Sequence, residues 1–358
     1  MALELCQNYL SSRSQIVKIT DTKSQPLNIK TGVPQGSILG PFLFLIYVND
    51  FQFCSDIFHM INYADDTTLM STLNAFTPSS DHLPPTGTQG INSELEKVHN
   101  WLCCNKSCLN INKTKFMVFH PPQKDVDYPT LSINNVQIDC VDNFTFLGIT
   151  INEHLSWRPH MTKILNKVSK TGYILNKLKK ILPEGILLTI YNSLINPHFN
   201  YAILLWGHKG ERIFKQQKKV IRHITRSKFN AHTDPLFIKL RVLKIEDLRK
   251  LSELKFYHKF THSQLPEYFL NDFLTHNRDL HDHFTRNQSH LVTPAYPHQF
   301  ARYILRVSIV ETVNNFPDII LSKIQTHSLQ AIGANAKEYF LSKYAAQCNI
   351  PNCYACQS

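Results

Sequence analysis

The sequence lacks any long hydrophobic run. Its longest apolar stretch covers residues 42–48 and lies between Gly40-Pro41 and Asn49-Asp50. Because a membrane-spanning helix needs about 20 consecutive apolar residues, the sequence predicts no association with a membrane. The stretch is instead interpreted as a buried segment of a folded domain.

The sequence also lacks the marks of a secreted protein. Residues 1–10 carry Glu4 and have no basic start before an apolar run. The 9 cysteines are scattered along 358 residues without framework spacing, which is typical of reduced thiols. We therefore expect an intracellular protein.

Patterns for hydrolytic chemistry and for a closed zinc site are missing as well. No Ser-His-Asp or HExxH arrangement is evident. Cys348, Cys353 and Cys356 leave a structural zinc site one ligand short, because such sites use four. We interpret these cysteines as thiols in a loose tail, with metal binding as the alternative. Residues 281–283 (His-Asp-His) are interpreted as a surface loop.

Positive charge, in contrast, is abundant. The formal net charge is +11, and residues 155–260 carry 22 Lys and Arg against 6 Asp and Glu. A basic block of this size predicts a polyanionic partner such as nucleic acid. The alternative is a basic surface that only keeps the protein in solution. The cations follow helix-like segments rather than a loose tail, which favours nucleic acid.

The basic block coincides with a change to helical periodicity. Met161, Ile164, Val168 and Leu175 recur at helical spacing, which predicts a long helix. The lysines of this segment that face elsewhere are Lys163, Lys167, Lys170 and Lys177. Further helices are predicted at residues 184–196 and 212–226.

The clearest chemical feature is a pair of adjacent carboxylates, Asp65 and Asp66. An apolar run at residues 57–61 precedes them, which predicts a β-hairpin with the acids at its tip. Mg²⁺ prefers oxygen ligands of this kind, and a pair of such ions stabilises an in-line phosphoryl displacement. The alternative is an ordinary turn, in which Asp-Asp is common.

A glycine- and proline-rich loop at residues 31–36 precedes the hairpin and opens into a predicted apolar helix at residues 37–53. Glycine lets a backbone approach a ligand closely, and a helix N-terminus offers free N–H groups to phosphates. Gln35 can hydrogen-bond a base edge or a sugar. The alternative is a plain loop before a core helix.

Several segments, taken in order, resemble the palm of reverse transcriptases and the helical region after it. They are residues 31–41 (TGVPQGSILGP), 47–50 (YVND), 63–66 (YADD), 109–115 (LNINKTK), 146–149 (FLGI), 191–197 (YNSLINP) and 201–206 (YAILLW). They look most like those of non-LTR (LINE-type, jockey-like) retrotransposons. The resemblance covers residues 6–270.

This resemblance implies an RNA-directed DNA polymerase that uses Mg²⁺ in a two-metal site. Its partners would be an RNA template, a DNA primer and deoxynucleoside triphosphates (dNTP), and its site of action would be nuclear. Asp65 would be a direct Mg²⁺ ligand, and Asp66 would be its supporting acid.

The resemblance also implies roles for residues around the acidic pair. Template and nucleotide would be bound by Gly32, Pro34, Gln35, Gly36 and Tyr63. The primer terminus would be positioned by Phe146, Leu147, Gly148 and Ile149. Lys113 or Lys115 would assist the pyrophosphate leaving group, with a solvent-facing lysine as the alternative. The template–primer backbone would be contacted by Lys163, Lys167, Lys170 and Lys177.

One carboxylate of the family has no match. It lies on a strand before the glycine-rich loop, whereas the acids of residues 1–30 are Glu4, predicted in a helix, and Asp21, predicted in a turn. A catalytic unit that loses one member usually loses most of its rate. We therefore expect an N-terminally truncated copy that does not polymerise DNA alone. The alternatives are a non-catalytic nucleic-acid-binding remnant and the unfolded product of a decayed element.

The predicted fold class is α+β. Residues 1–152 are expected to form a partial polymerase palm, an antiparallel sheet with packed helices that lacks the fingers and the first catalytic strand. Residues 153–270 are expected to form an all-helical, basic, thumb-like domain. Residues 271–358 form a region that the sequence defines poorly.

Overall fold

The computed structural model describes residues 2–72, 88–124, 126, 128–271, 273–280, 288, 290–295 and 304–346. The chain divides into two compact units, Met1–Val141 and Asp142–Ser358. Helices and small, mostly antiparallel strand pairs occur together, which confirms the α+β class. The predicted division into residues 1–152, 153–270 and 271–358 stays a prediction.

The first unit combines helices with short strand pairs. Its described helices are α1 (Ala2–Leu10), α2 (Leu39–Tyr47) and α3 (Thr88–Cys104). Its described strands are β1 (Arg13–Gln15), β2 (Lys18–Ile19), β3 (Thr22–Lys23), β4 (Leu27–Ile29), β5 (His59–Tyr63), β6 (Asp66–Met70), β7 (Lys115–Phe116), β8 (Ser132–Ile133), β9 (Val136–Gln137) and β10 (Asp139–Cys140). The antiparallel pairs are β1–β4, β2–β3, β5–β6 and β8–β9, whereas β10 runs parallel to β7. Each pair is a separate two-stranded ribbon, so the described strands do not form one continuous sheet.

Helix α3 provides the core of the first unit. Ile91 and Leu95 lie one turn apart on this helix and are buried together with Ile133. Phe58 and Leu69, at the base of the β5–β6 hairpin, pack against the same cluster. Burying each large aliphatic side chain stabilises a fold by roughly 1.5–3 kcal/mol. The apolar face of α3 therefore supports the hairpin that carries the acidic pair.

The apolar helix α2 is shorter and more exposed than predicted. It ends at Tyr47, and a separate 3₁₀ turn follows at Phe51–Phe53. The side chains of Phe42 and Leu45 are 60% and 62% exposed, so the interpretation of residues 42–48 as a buried segment is wrong. A run of apolar residues predicts a helix, but it does not specify which other element covers that helix.

The sequence also predicts strands at residues 109–119 and 144–151, and the structure differs at both. Residues 109–119 form a 3₁₀ turn at Ile111–Lys113 and then the two-residue strand β7. Residues 144–151 form a hairpin instead of one strand, because Leu147 and Gly148 both have positive φ and reverse the chain. The sequence further predicts a hairpin at residues 131–138 with its turn at Asn134 and Asn135, and this hairpin is confirmed, with both residues at positive φ.

The second unit begins with the hairpin of β11 (Asn143–Phe146) and β12 (Ile149–Asn152) and is otherwise helical among its described residues. Its helices are α4 (Arg158–Leu178), α5 (Glu184–Leu194), α6 (Asn196–Asn200), α7 (Ile203–Trp206), α8 (Glu211–Ile224), α9 (Asp234–Leu240), α10 (Ile245–Thr261), α11 (Glu267–Leu270), α12 (Leu305–Asn314), α13 (Asp318–Leu321) and α14 (Leu329–Ala346). None of the helices that the structure describes, in either unit, is long and apolar enough to cross a membrane.

One hydrophobic core joins the helices of the second unit. Val168 and Leu175 of α4 are fully buried in it, as is Ile221 of α8. Ile309 of α12 and Phe340 of α14 belong to the same cluster. The core therefore includes side chains from both predicted segments, 153–270 and 271–358.

A buried glutamine fixes the centre of this core. Gln217 of α8 donates hydrogen bonds to Tyr191 Oη (3.0 Å) and to the carbonyl of Leu243 (2.9 Å), and its oxygen accepts one from the Ile245 amide (3.1 Å). Because buried polar groups destabilise a fold unless they are paired, this complete set of bonds joins α5, α8 and the start of α10 in one arrangement.

Candidate functional site

The acidic pair lies at the tip of the β5–β6 hairpin, as predicted. Tyr63 pairs directly with Asp66, and a two-residue loop of Ala64 and Asp65 closes the hairpin. Both carboxylates are exposed. Because Asp66 and Tyr63 form a cross-strand pair, their side chains share one face of the hairpin, and that face is exposed at the tip.

The turn that presents Asp65 has an unusual backbone. Ala64 has a φ of +53°, in the left-handed region that favours glycine. A residue other than glycine costs about 1–2 kcal/mol in this conformation. Such outliers persist where the surrounding structure imposes them, and they are found at functional sites more often than elsewhere.

A buried carboxylate on α3 anchors the segment that leads into the hairpin. Glu94 Oε2 accepts hydrogen bonds from Ser55 Oγ (2.6 Å) and from the Asp56 amide (3.3 Å), and Lys97 Nζ donates to Oε1 at 2.6 Å. Burial alone would raise the pKa of Glu94, but the bonds from Lys97, Ser55 and Asp56 outweigh it, and the pKa is lowered. Glu94 is therefore held as a carboxylate.

Sequence reasoning did not identify Glu94. A signal was available, because Glu94 lies on the helix face that also carries Ile91, Leu95 and Val98, where a charged residue is unexpected. A charged residue on an apolar face usually has a buried partner, and here that partner is the segment before β5.

The donor set at the hairpin tip fits a hard divalent cation. Asp65 and Asp66 offer carboxylate oxygens, which are the atoms that Mg²⁺ prefers. Exposure of both side chains leaves room for water and for phosphate oxygens around such an ion. Mg²⁺ bound there would supply Lewis-acid stabilisation to a phosphoryl group.

The glycine-rich loop is exposed and has the backbone that its sequence predicted. Gly32 and Gly36 have φ of +80° and +77°, and Arg13 donates a hydrogen bond to the Gly32 carbonyl. Ser37 Oγ donates to the Pro34 carbonyl at 2.7 Å, which fixes the end of the loop before α2. Gln35, like Pro34, is exposed. The loop is thus open to solvent at the residues expected to bind template and nucleotide.

The two candidate general acids have different surroundings. Lys115 lies on β7 and forms an ion pair with Asp139, with 2.5 Å between Nζ and Oδ2. Lys113 lies in the preceding 3₁₀ turn and is exposed. The Lys115 ammonium is held by Asp139, whereas Lys113 is exposed, so the geometry leaves Lys113 more accessible to a ligand.

The residues expected to position a primer form the tip of the β11–β12 hairpin in the second unit. Phe146 and Ile149 are its last cross-strand pair, and Leu147 with Gly148 forms the loop. Tyr201 donates a hydrogen bond to the carbonyl of Leu147. A Cβ on Gly148, which has a φ of +79°, would lie 3.8 Å from the Tyr201 ring. The tip is therefore held against the helical part of its own unit.

The basic helix α4 presents its lysines to solvent, as predicted. The exposed members are Lys163, Lys167, Lys170 and Lys177. Two of these lysines act on a neighbouring histidine. The pKa of His160 is lowered first by burial and then by the charges of Lys163 and Lys167. Lys163 also donates to Thr145 Oγ1 at 2.9 Å, which ties the helix to β11.

Two predicted features lie outside the described residues. The cysteines of the C-terminal segment, Cys348, Cys353 and Cys356, are not among the residues that the structure describes, and neither are residues 281–283. Their interpretation stays a prediction.

Comparison with known proteins points to one family. Residues 2–151 match the family model of "Reverse transcriptase (RNA-dependent DNA polymerase)". The chain is 24% identical to the "Probable RNA-directed DNA polymerase from transposon BS" of Drosophila melanogaster, over 67% of this chain and 27% of that protein. It is 24% identical to the "RNA-directed DNA polymerase from mobile element jockey" of the same species, with the same coverage of 67% and 27%.

The jockey protein of Drosophila funebris is likewise 24% identical, over 72% of this chain and 28% of that protein. The chain thus spans about a quarter of the length of these curated relatives. No solved structure matches it significantly. The ordered segments, the acidic hairpin and these matches agree, and the chain is therefore similar to reverse transcriptases over residues 2–151, with similar proteins among jockey-like elements of the non-LTR type.

Proposed function

We propose that this chain is the palm and thumb portion of an RNA-directed DNA polymerase from a non-LTR retrotransposon. The observation that carries the proposal is the exposed Asp65-Asp66 pair at the tip of the β5–β6 hairpin. The match of residues 2–151 to the reverse transcriptase family model supports it. The substrates would be an RNA template, a DNA primer and dNTP, and the site of action would be nuclear.

In this proposal, Asp65 holds Mg²⁺ directly and Asp66 supports it. The exposed loop with Gly32, Gln35 and Gly36 borders the template and nucleotide, because its open backbone allows close approach. Tyr63 shares the exposed hairpin face with Asp66 and would contact the incoming nucleotide. Lys113, rather than the paired Lys115, would protonate the pyrophosphate leaving group.

The helices of the second unit would hold the template–primer duplex. Exposed lysines on α4 bind phosphates without regard to sequence and release counterions when they do so. The tip of the β11–β12 hairpin, residues 146–149, would position the primer terminus. Binding should therefore weaken steeply as salt rises.

We further propose that this chain does not polymerise DNA alone. Asp21 lies in the turn between β2 and β3, and Glu4 lies in α1. Neither residue has the strand position that a carboxylate shared by two metal ions would need. Losing one member of a catalytic unit removes most of its rate.

A second candidate function is nucleic-acid binding without catalysis. The lysine face of α4 favours it, since residues 158–183 contain no Asp or Glu. It predicts binding that is indifferent to Asp65→Ala.

The test combines hybrid binding with primer extension. We expect an RNA–DNA hybrid to bind with an affinity that falls as salt rises from about 50 to about 200 mM. The double variant Lys167→Gln/Lys170→Gln should bind about tenfold more weakly and lower the salt slope by roughly 2, because each lost phosphate contact removes about 0.9. The control Lys259→Gln/Lys323→Gln removes one exposed lysine of α10 and one in the turn after α13, and it should change little.

Primer extension with Mg²⁺ or Mn²⁺ is expected to give no product from the chain alone. Robust extension that Asp65→Ala abolishes would contradict the proposed inactivity and establish a complete polymerase. Hybrid binding that does not depend on Lys167 and Lys170 would contradict the role given to α4.

A further inference from the structure

Two loops at one end of the α4–α8 pair are joined by a single arginine. Arg226 lies two residues after the end of α8 and has a φ of +55°. Its Nε donates to the carbonyl of Lys179 at 2.9 Å, and its Nη2 donates to the carbonyl of Leu182 at 2.8 Å. The arginine therefore satisfies carbonyls after the end of α4, which would otherwise lack partners, and it fixes the loop after α4 against the loop after α8.

The loop after α8 is held internally as well. The amide of Ala231 donates to the carbonyl of Lys228 at 3.0 Å, and Arg222 Nε donates to the carbonyl of Ala231 at 2.9 Å. The hydroxyls of Thr225 and Ser227 are 2.8 Å apart. These bonds close a short turn and fix its base, so the side chains at its tip are presented in a defined place.

The tips of both loops carry large apolar side chains that face solvent. Phe229 is 89% exposed, and Ile181 in the loop after α4 is 79% exposed. Isolated exposed apolar residues are ordinary on protein surfaces. Here, however, Ile181 and Phe229 lie on two loops that Arg226 joins. Phe229 also directly follows Lys228 in the sequence.

The chain around each of these tips is strongly basic in sequence, and the first acids after the tips are Glu184 and Asp234. Residues 158–183 contain seven Lys and Arg, residues 212–233 contain another seven, and neither segment contains an Asp or Glu. These positive charges also act on His223, whose pKa is lowered first by burial and then by Lys179 and Lys219. A surface of this kind attracts a polyanion.

The exposed ring of Phe229 favours one class of polyanion, a single-stranded nucleic acid, over a duplex. In a duplex the base faces are stacked inside, and a phosphate backbone offers nothing for a phenyl ring to cover. An unpaired nucleobase presents its π face, and stacking on aromatic side chains beside cations is how single strands are bound without sequence preference.

We propose that the loop with Phe229, backed by Arg226 and Lys228, is a stacking site for unpaired nucleobases of a single-stranded nucleic acid. The site rests on the proposed function, since it would hold the unpaired strand of a template whose paired part lies along α4. Phe229 supplies the stacking face. The lysines of the two loops supply the phosphate contacts, while Arg226 holds the loops together.

The experiment uses the full chain and compares two probes of equal length, about 12 nucleotides of single-stranded RNA and a blunt RNA–DNA hybrid. Phe229→Ala should weaken binding of the single strand roughly tenfold, the scale of one lost stacked base, and should leave the hybrid unchanged. Phe229→Trp should retain single-strand binding. Ile319→Ala, which removes an apolar side chain that is 71% exposed elsewhere in the unit, is the matched control and should have no effect.

A fluorescent nucleobase in the single strand gives an independent measurement, because stacking on Phe229 should change its emission and Phe229→Ala should abolish that change. Circular dichroism verifies that the variants are folded.

Unchanged single-strand affinity in Phe229→Ala overturns the proposal, and so does an equal loss of affinity for both probes. Loss of binding to anionic vesicles, with single-strand binding intact, would assign the tips to a lipid surface instead. Salt-dependent binding of the hybrid through Lys167 and Lys170 does not depend on Phe229. Failure of the stacking site would therefore leave the proposed function of α4 intact.

Discussion

At the scale of single residues, burial separates carboxylates that hold the fold from carboxylates that are available for chemistry. Glu94 is 8% exposed and accepts three hydrogen bonds, whereas Asp65 and Asp66 are exposed at a hairpin tip. A buried charge must be paired to be stable. An exposed pair of carboxylates keeps its oxygens available for a cation.

Replacing Glu94 should show how much it contributes to the stability of the first unit. Glu94→Gln removes the charge that Lys97 and Ser55 both contact and leaves their donors poorly matched, so we expect a loss of about 1–3 kcal/mol in the free energy of unfolding. Urea denaturation followed by circular dichroism measures this loss. Faster hydrogen exchange at the β5–β6 amides would show that the hairpin has loosened.

The control for this change is Asp56→Asn. The Asp56 side chain is 91% exposed and its Oδ2 lies 3.8 Å from the same Lys97 Nζ, so the change should cost less than about 0.5 kcal/mol. Equal losses in the two variants would contradict the anchoring role of Glu94.

At the scale of elements, helix α10 contains two ion pairs of the same spacing in opposite surroundings. Glu246 and Lys250 pair at 2.9 Å with the Glu246 side chain 70% exposed, and Arg249 pairs with the fully buried Glu253 at 2.6 Å. Glu253 also accepts from two hydroxyls of α12. The buried pair therefore joins α10 to α12, and the exposed pair joins α10 only to itself.

The two pairs should differ several-fold in their contribution to stability. Glu253→Gln leaves Arg249 without its charge partner and weakens two bonds to α12, from Ser308 Oγ at 2.6 Å and Thr312 Oγ1 at 2.5 Å. We expect a loss of about 3–5 kcal/mol. Glu246→Gln should cost about 0.3–0.5 kcal/mol. Thermal unfolding of the two variants measures the difference, and similar melting temperatures would contradict the proposed connection between the helices.

At the scale of the whole molecule, the second unit contains one buried and four half-buried histidines whose neutral form is favoured. Burial, followed by the positive charge of neighbouring Lys and Arg, lowers the pKa of each member of this group. The group is His160, His198, His208, His223 and His276. For His208 the pKa falls from 6.5 to about 4.

The sign of the pH dependence follows from these shifts. Between the unfolded value of 6.5 and the folded value of about 4, the unfolded chain binds more protons, so stability falls as pH falls. We expect the midpoint of urea unfolding to drop between about pH 7 and about pH 5. His208→Gln, which cannot titrate, should show a smaller drop. A midpoint that is flat over this range, or that rises, would contradict the account.

The local sequence pattern was sufficient to predict an element when the residues within that element define it. The apolar run before Asp65 and Asp66 predicted the β5–β6 hairpin, and the spacing of Met161, Ile164 and Val168 predicted α4. Local pattern failed where distant segments decide. The exposure of α2, the buried role of Glu94 and the reversal at Leu147 depend on packing or on backbone conformations that no short window of sequence specifies.

The sequence by itself determined the resemblance to reverse transcriptases, the acidic pair and the basic helix, because adjacent residue types and their periodicity carry that information. Only the tertiary structure decided which carboxylates are buried and which are open, since burial depends on contacts between residues far apart in the chain. Tertiary structure also decided that Arg226 brings the loops with Ile181 and Phe229 together. Those loops lie more than 40 residues apart in sequence, and only the packing of α4 on α8 makes them neighbours.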